Sequence, residues 1–560
     1  MPGMSTIPRL FWQRVDDSSD EVAFHRHVGE GHWDAVSWQE IAGQVVSVAE
    51  VLREAGVGPR DRVAFYSENR DEWPIVDLAI QLVPAVHVPL HAPLTAAQAR
   101  YQIDHCQAKA VIVSGNELAT RLEQAYERLP TATRWFSLDS IDRPPFRPLP
   151  SLAASVDRPR AEDAARRVAE QVTEEELATI LYTSGTTGEP KGVMLSQRNL
   201  YTNATSTAAV YDQDPGGLRL GMLPLSHIFA RVCDLYMWLA RGNEFALARN
   251  RETVLEDCQV LKPHWLNGVP YFFDKCYRIL REQGIAEQPG AVSRLLGGRI
   301  EYCCCGGAGL PEYLFDYYQS QGVPVLPGYG LTESSPVISV SRTDAVRRGA
   351  SGRPIADVQV RIAEDGEILT KGPHVMMGYY RNPEATSQAI RDGWLYTGDY
   401  GRIDNDGFLY VTGRKKEIIV TAGGKNVSPI LLESLLTQDP LIEQVLVVGD
   451  SRKYLAALIV PNLRLLRRRF EQHSAGDTNM ALADASMLED PRVEQWFEAI
   501  IQRQLASLSP YEQVRRFRLL ERPFSIEAGE MTPKLSLRRK VIEEHYRDVI
   551  DAMYESPKAD

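Results

Sequence analysis

The sequence predicts an α/β fold: a large, multi-subdomain N-terminal α/β domain followed by a small C-terminal α+β domain. Three observations carry this. Helical and strand periodicities alternate from Ser37 onward. A chain of 560 residues is too long for one ordinary core. Beyond Lys416 the pattern restarts with short strands and charged helices.

Ile41, Val45, Val46, Ala49, Val51 and Leu52 recur at helical spacing, which predicts a helix over Ser37–Ala55. Arg62–Tyr66 then reads as a strand, Trp73–Val83 as a helix, Ala85–Leu90 as a strand, Ala96–Cys106 as a helix and Ala110–Val113 as a strand. From Arg143 to Glu170 the chain is rich in Pro, Arg and Ala, which predicts an exposed connection within the first domain. Leu138-Asp139-Ser140-Ile141 has the look of a carrier-domain attachment serine. Ser137 stands where that motif needs Gly, so the match is chance.

The apolar run Leu177–Leu181 predicts a buried strand, and Ser196 suits the cap of a helix opening at Gln197. Between them lies Tyr182-Thr183-Ser184-Gly185-Thr186-Thr187-Gly188-Glu189-Pro190-Lys191-Gly192. Its hydroxyls, glycines and lysine offer O–H donors, open backbone N–H groups and a cation to an anion such as triphosphate. It is not a Walker A loop, because no Gly-Lys-Ser/Thr follows at the required spacing.

Farther on, Leu223–Phe229 reads as an apolar strand ending near His227. Leu266–Pro270, Ile300–Gly309 and Leu326–Glu333 each place small residues or a tyrosine at a strand end, where α/β sheets bind ligands. Asp399 can accept from two ribose hydroxyls, and Arg414 follows beyond the next strand. In the second domain, Glu417–Thr421, Gln444–Val448 and Leu455–Val460 read as strands and Ser428–Thr437 as a helix.

The net charge of −12 and pI near 5.6 argue against non-specific nucleic-acid binding. Seven cysteines without a C-x-x-C pair suit free thiols, and adjacent Cys303-Cys304-Cys305 on a strand cannot converge on one metal. Met1–Phe24 lacks an apolar run, so a cytoplasmic location is expected. Leu465–Phe470 is a candidate for peripheral membrane association, against the commoner reading of a solvated helix face. Oligomeric state is not legible.

Taken together, Tyr182–Gly192, Gly328–Glu333, Trp394–Asp399, Gly413–Glu417 and Gly423–Pro429 resemble, in order, the motifs of the adenylate-forming acyl-CoA synthetases, most nearly the long-chain fatty acid type. The resemblance covers nearly the whole chain. It implies an AMP-binding domain over residues 1–415 and a mobile domain over 416–560, with ATP, coenzyme A and Mg²⁺ as cofactors. The implied reaction makes acyl-AMP and pyrophosphate from a carboxylate and ATP, and coenzyme A then displaces AMP.

By the same resemblance, Thr183, Ser184, Gly185, Thr186, Gly188 and Lys191 cradle phosphates, and Thr187 and Glu333 hold the metal. Thr332 contacts the α-phosphate; Gly307, Ala308 and Tyr329 form the adenine site, with Gly330 also binding the nucleotide; Asp399 takes the ribose hydroxyls, and Arg414 contacts ribose or phosphate. His227 with Gly268, Val269 and Pro270 lines the acyl tunnel, Gly424, Lys425 and Asn426 face coenzyme A, and Lys416 is the hinge. The family's C-terminal adenylation lysine falls at Ser536, so Lys534, two residues earlier on the same side of an extended segment, takes that role, with Arg538 as rival. Two further functions fit the residues: a ligase that loads a carrier protein, and a non-catalytic nucleotide-binding protein.

Overall fold

Two large sheets enclose a layer of helices. The computed structural model describes residues 6–29, 31–141, 143–183, 189–473, 484–506, 508–525, 527–531 and 537–555.

The eight-stranded sheet runs in the order Gly378–Tyr379, Lys191–Ser196, Leu177–Thr183, Val86–His91, Arg62–Ser67, Ala110–Val113, Arg134–Ser137, Arg147–Pro148. Leu177–Thr183 is parallel to Val86–His91 but antiparallel to Lys191–Ser196, so the two residue stretches flanking the polar loop form a hairpin. The nine-stranded sheet has the parallel core Val325–Gly330, Tyr302–Cys305, Trp265–Gly268, Leu218–Gly221, Glu244–Leu247. All five of those strands end on one edge, where Tyr329 lies in the last residues of its strand and His227, Val269 and Gly306 follow theirs.

The shared core lies between the sheets, largely apolar but crossed by a buried polar network that includes Asp77, His87, Thr179 and Arg231. Trp38 and Trp238 stack at 4.4 Å between ring centroids within it, and Trp238 Nε1 donates to the Ala23 carbonyl at 2.8 Å. The expected helices form, one opened by the expected Ser196 cap and two by caps the structure reveals. Ser37 and Glu40 make a reciprocal cap for Trp38–Glu54, Thr95 and Gln98 one for Ala96–Cys106, and Ser196 and Asn199 one for Gln197–Ala208.

Two expectations are corrected. The exposed connection over 143–170 contains a helix, Arg158–Gln171, capped by Asp157. Its Ala161, Ala165 and Ala169 recur every four residues and pack against Trp38–Glu54, a stripe too weakly apolar to stand out among the arginines. Leu223–Phe229 is not a strand. The strand ends at Gly221, where a Cβ would lie 2.8 Å from the Phe245 ring, and the chain turns at Pro224, whose carbonyl accepts from the His227 N–H at 2.9 Å.

From Ile419 onward the chain forms cores of its own, built around Ile442–Val448, Leu455–Pro461 and Val514–Leu519. The candidate membrane segment lies in the helix Leu463–His473. Its Leu466 and Phe470 are buried in that core, and an Arg464–Glu282 ion pair links the helix to Pro270–Glu282 of the large domain. Among the described residues, no helix is long and apolar enough to cross a membrane.

Candidate functional site

Thr183 and Lys191 face each other at the mouth of the hairpin, and Thr183 Oγ1 donates to the Lys191 carbonyl at 3.5 Å. Ser184, Gly185, Thr186, Thr187 and Gly188 lie outside the described residues. Lys191 Nζ sits 5.1 Å from the centroid of the Tyr379 ring. The Tyr379 hydroxyl in turn donates to Glu333 Oε1 at 2.8 Å. Burial, then the Glu333 charge, push the Tyr379 phenol above its usual range, so it stays protonated as a donor.

Glu333 is fixed from below. It lies in the single turn Thr332–Ser334, and its carbonyl accepts from the Met376 N–H at 2.9 Å. Asn203 bridges the Val337 backbone through both amide atoms, and Asn199 donates to the Pro373 and Val375 carbonyls at 2.7 and 2.9 Å. Gly330 has no alternative: a Cβ there would lie 1.9 Å from the Pro336 carbonyl oxygen.

On the nucleoside side, Asp399 and Arg414 are direct partners across antiparallel strands. Arg414 Nε lies 3.1 Å from Asp399 Oδ1, and the Tyr329 hydroxyl donates to Asp399 Oδ2 at 2.8 Å. Burial raises the Asp399 pKa despite the opposing pull of Arg414 and Tyr329, while the Asp399 charge raises that of Arg414. Tyr329 is therefore more than packing. Gly307 and Ala308 are exposed just past Tyr302–Cys305, and Gly307 adopts φ +82°, a left-handed conformation that glycine allows.

On the third side, His227 precedes the helical segment Ile228–Tyr236, and its ring lies 4.7 Å from that of His91. Gly268 ends its strand with Phe273 and Met222 pressed against the space a Cβ would fill, while Val269 and Pro270 open the next helix. Arg231 opens a π-helical turn, Arg231–Tyr236, four residues after His227. Fully buried, it donates to Asp77 Oδ1 at 2.5 Å and to Thr179 Oγ1 at 2.7 Å, and Thr179 lies on the strand that leads to the polar loop. Tyr236 donates to Asp77 Oδ2 at 2.9 Å, and His87 Nδ1 approaches Asp77 Oδ1 at 2.5 Å.

Toward the C-terminus, Lys415 pairs with Asp365 at 2.6 Å and Glu367 at 3.0 Å immediately before Lys416. Gly424 turns with φ +72°, and Lys425 sits 5.7 Å over the Tyr511 ring; the backbone of Asn426 pairs with Val420. Lys534 lies outside the described residues. Arg538 is engaged with backbone: its N–H donates to the Glu530 carbonyl at 2.7 Å and its guanidinium to the Gly529 carbonyl at 3.0 Å.

The site thus brings together Thr183, Lys191 and Glu333 on one flank, and Tyr329, Asp399 and Arg414 on another. Sequence reading missed Tyr379, Arg231 and the Asp365–Glu367–Lys415 cluster. Only Tyr379 leaves a trace, in Gly378-Tyr379-Tyr380 before the Asn382-capped helix. For a metal, the expected donors Glu333 and Thr187 are oxygen only, the kind Mg²⁺ takes. Glu333 Oε1 accepts from the Tyr379 hydroxyl, which orients a carboxylate of the kind such a cation takes.

Residues 11–380 match the model of the AMP-binding enzyme family, and residues 416–558 match that of the AMP-binding enzyme C-terminal domain. The long-chain-fatty-acid–CoA ligase FadD15 of Mycobacterium bovis is 32% identical, with 98% of this chain and 97% of that protein aligned. Among solved structures, the anthranilate CoA ligase AuaEII in complex with anthranoyl-AMP superposes with a TM-score of 0.79 at 17% identity, covering 98% of both chains. The Mycobacterium tuberculosis fatty acyl CoA synthetase gives 0.68 at 22% identity, covering 98% of this chain and 99% of that one. The chain belongs to the AMP-binding enzyme family.

Proposed function

We propose that this chain is an AMP-forming acid–thiol ligase that converts a long-chain fatty acid to its acyl-CoA thioester through acyl-AMP. The observation that carries the reading is the joining of two half-sites through one short segment, in which Tyr329 belongs to one and Glu333, four residues later, to the other. One half-site is the cation–carboxylate flank of Lys191 and Glu333; the other is the Tyr329–Asp399–Arg414 cluster suited to a ribose. Its likeness to the FadD15 ligase supports the fatty acid as substrate and coenzyme A as acceptor.

In this reading Thr183, Ser184, Thr186 and Lys191 hold the β,γ-phosphates, and Thr332 holds the α-phosphate. Adenine rests against Gly307, Ala308 and Tyr329, and Asp399 accepts from the ribose. Glu333 and Thr187 hold Mg²⁺, which when bound neutralises charge on the departing pyrophosphate. His227 and Gly268–Pro270 line the acyl entrance. The body from Lys416 to Asp560 rotates about Lys416, bringing Lys534 to the carboxylate for the first step and Gly424–Asn426 to coenzyme A for the second. The protein works in the cytoplasm.

The test is an ATP-dependent thioester assay with a chain-length series of fatty acids, offering coenzyme A and a holo acyl carrier protein as separate acceptors. Thioester on coenzyme A with a long-chain optimum is expected; product on the carrier protein alone would overturn the acceptor assignment. Lys534→Ala should lose acyl-AMP formation yet convert supplied acyl-AMP and coenzyme A to thioester, whereas Arg538→Ala should keep adenylation. The reverse result would exchange the two roles.

A further inference from the structure

Tyr379 occupies a position that the phosphate and metal assignments leave unexplained. It sits on a two-residue strand, Gly378–Tyr379, which pairs antiparallel with the strand carrying Lys191, Tyr379 facing Val193. Its backbone is locked. The Tyr379 N–H donates to Thr386 Oγ1 at 2.9 Å, and Gly378 adopts φ +136° with Thr386 only 2.7 Å from where a Cβ would stand. The segment before it is held as well, because Met377 N–H donates to the Met194 carbonyl and Met376 N–H to the Glu333 carbonyl, both at 2.9 Å.

From this fixed base one side chain reaches both halves of the phosphate flank. The ring face lies under Lys191 Nζ, and the hydroxyl donates to Glu333 Oε1. A lysine has four rotatable bonds and a glutamate three, so neither group is placed by its own stem. A rigid aromatic with two torsions, bonded to one and stacked on the other, removes that freedom before substrate arrives.

We propose that Tyr379 is a positioning residue for adenylation: its ring seats the Lys191 ammonium and its hydroxyl orients the Glu333 carboxylate, fixing the spacing between the cation and the carboxylate that flank the triphosphate. This rests on the ATP-dependent reading above. With the phenol bonded to Oε1, the Glu333 carboxylate would be held in one orientation for a bound cation. The two functions of the side chain are separable: the hydroxyl acts on metal-dependent binding and the ring acts on the phosphate contact of Lys191.

The experiment is calorimetric titration of the full chain with ATP, once with MgCl₂ and once with EDTA, for wild type, Tyr379→Phe and Tyr379→Leu, with melting curves as a fold control. Tyr379→Phe should weaken binding of MgATP about tenfold, the scale of one hydrogen bond to a charged group, and leave binding of metal-free ATP within about twofold. Tyr379→Leu should weaken both. In pyrophosphate release, added Mg²⁺ should restore Tyr379→Phe and fail to restore Tyr379→Leu. Wild type that binds no ATP would overturn the ligase reading itself. Wild type that binds, with Tyr379→Phe equal to it in MgCl₂ or weakened equally with and without metal, would overturn the positioning role alone.

Discussion

Arg231→Met removes the centre of the buried network that ties the helix after His227 to the strand before the polar loop. Arg231 is fully buried and its guanidinium serves Asp77, Thr179 and Tyr236 together. Methionine fills most of the stem volume and supplies none of the donors, so Asp77 keeps only Tyr236 and His87. Breaking a buried pair from one side costs about 3 to 5 kcal/mol, a fall in melting temperature of about 3 to 6 °C for a body of this size.

The loss carries a pH signature. Burial and then Arg231 hold His87 down at about 4, well below its ordinary 6.5, because both bases crowd the same Asp77 oxygen. With Arg231 gone the Asp77 carboxylate favours the imidazolium, so the His87 pKa rises and protonation replaces the missing charge. The penalty should be full at about pH 8 and shrink by about pH 6, as read from melting curves of wild type and Arg231→Met across that range. A variant that melts with wild type at the higher pH, or whose deficit is flat with pH, would refute the reasoning.

Glu333→Gln keeps the volume and hydrogen bonding to Tyr379 but removes the charge proposed to hold the metal. Pyrophosphate release should fall on the order of a hundredfold; full activity would sink the assignment. Lys416→Pro fixes φ at the proposed hinge and should leave acyl-AMP formation largely intact while slowing thioester formation, so equal losses in the two half-reactions would argue against a pivot there. His374, bonded to Thr370 at 2.8 Å, is likewise held by burial at about 4. A histidine kept neutral in the fold contributes stability that is full above its ordinary 6.5 and lost as pH falls toward 4, about 3 kcal/mol at the limit. His374→Asn should therefore show a shallower fall in melting temperature between about pH 7 and pH 4.5 than wild type; parallel curves would refute this.

Local chemistry was legible wherever the causes lay within a few residues. The helices beginning near Ser37 and Ala96, the Ser196 cap, the strand entering the polar loop and the buried row Tyr302–Cys305 all follow from short-range pattern, whereas the return strand Lys191–Ser196 that makes the loop a hairpin went unread. Arg158–Gln171 escaped because its buried face is alanine, which carries little hydropathy contrast against arginine and proline. Tyr379 meets Glu333 across 46 positions and Arg231 meets Asp77 across 154, separations at which sequence pattern holds no record of contact. Asp399 and Arg414 were singled out separately, and their contact across one strand turn, like that of Tyr329 with Asp399, appears only in three dimensions.

The row of cysteines has a chemical consequence. An acyl adenylate is a mixed anhydride, and any thiolate within reach would take the acyl group and end the turnover with a modified protein. All seven cysteines are free, and six are buried, Cys304 partly so. Burial pushes the thiol of Cys304 to about 11 and those of Cys106 and Cys276 to about 12, with Cys233, Cys258, Cys303 and Cys305 higher still. Cys305 stands directly before the Gly306–Gly307 turn, yet at neutral pH it offers a neutral, enclosed S–H and no nucleophile. An enzyme that makes thioesters can thus keep its own sulfur from competing, leaving the incoming thiol as the acceptor.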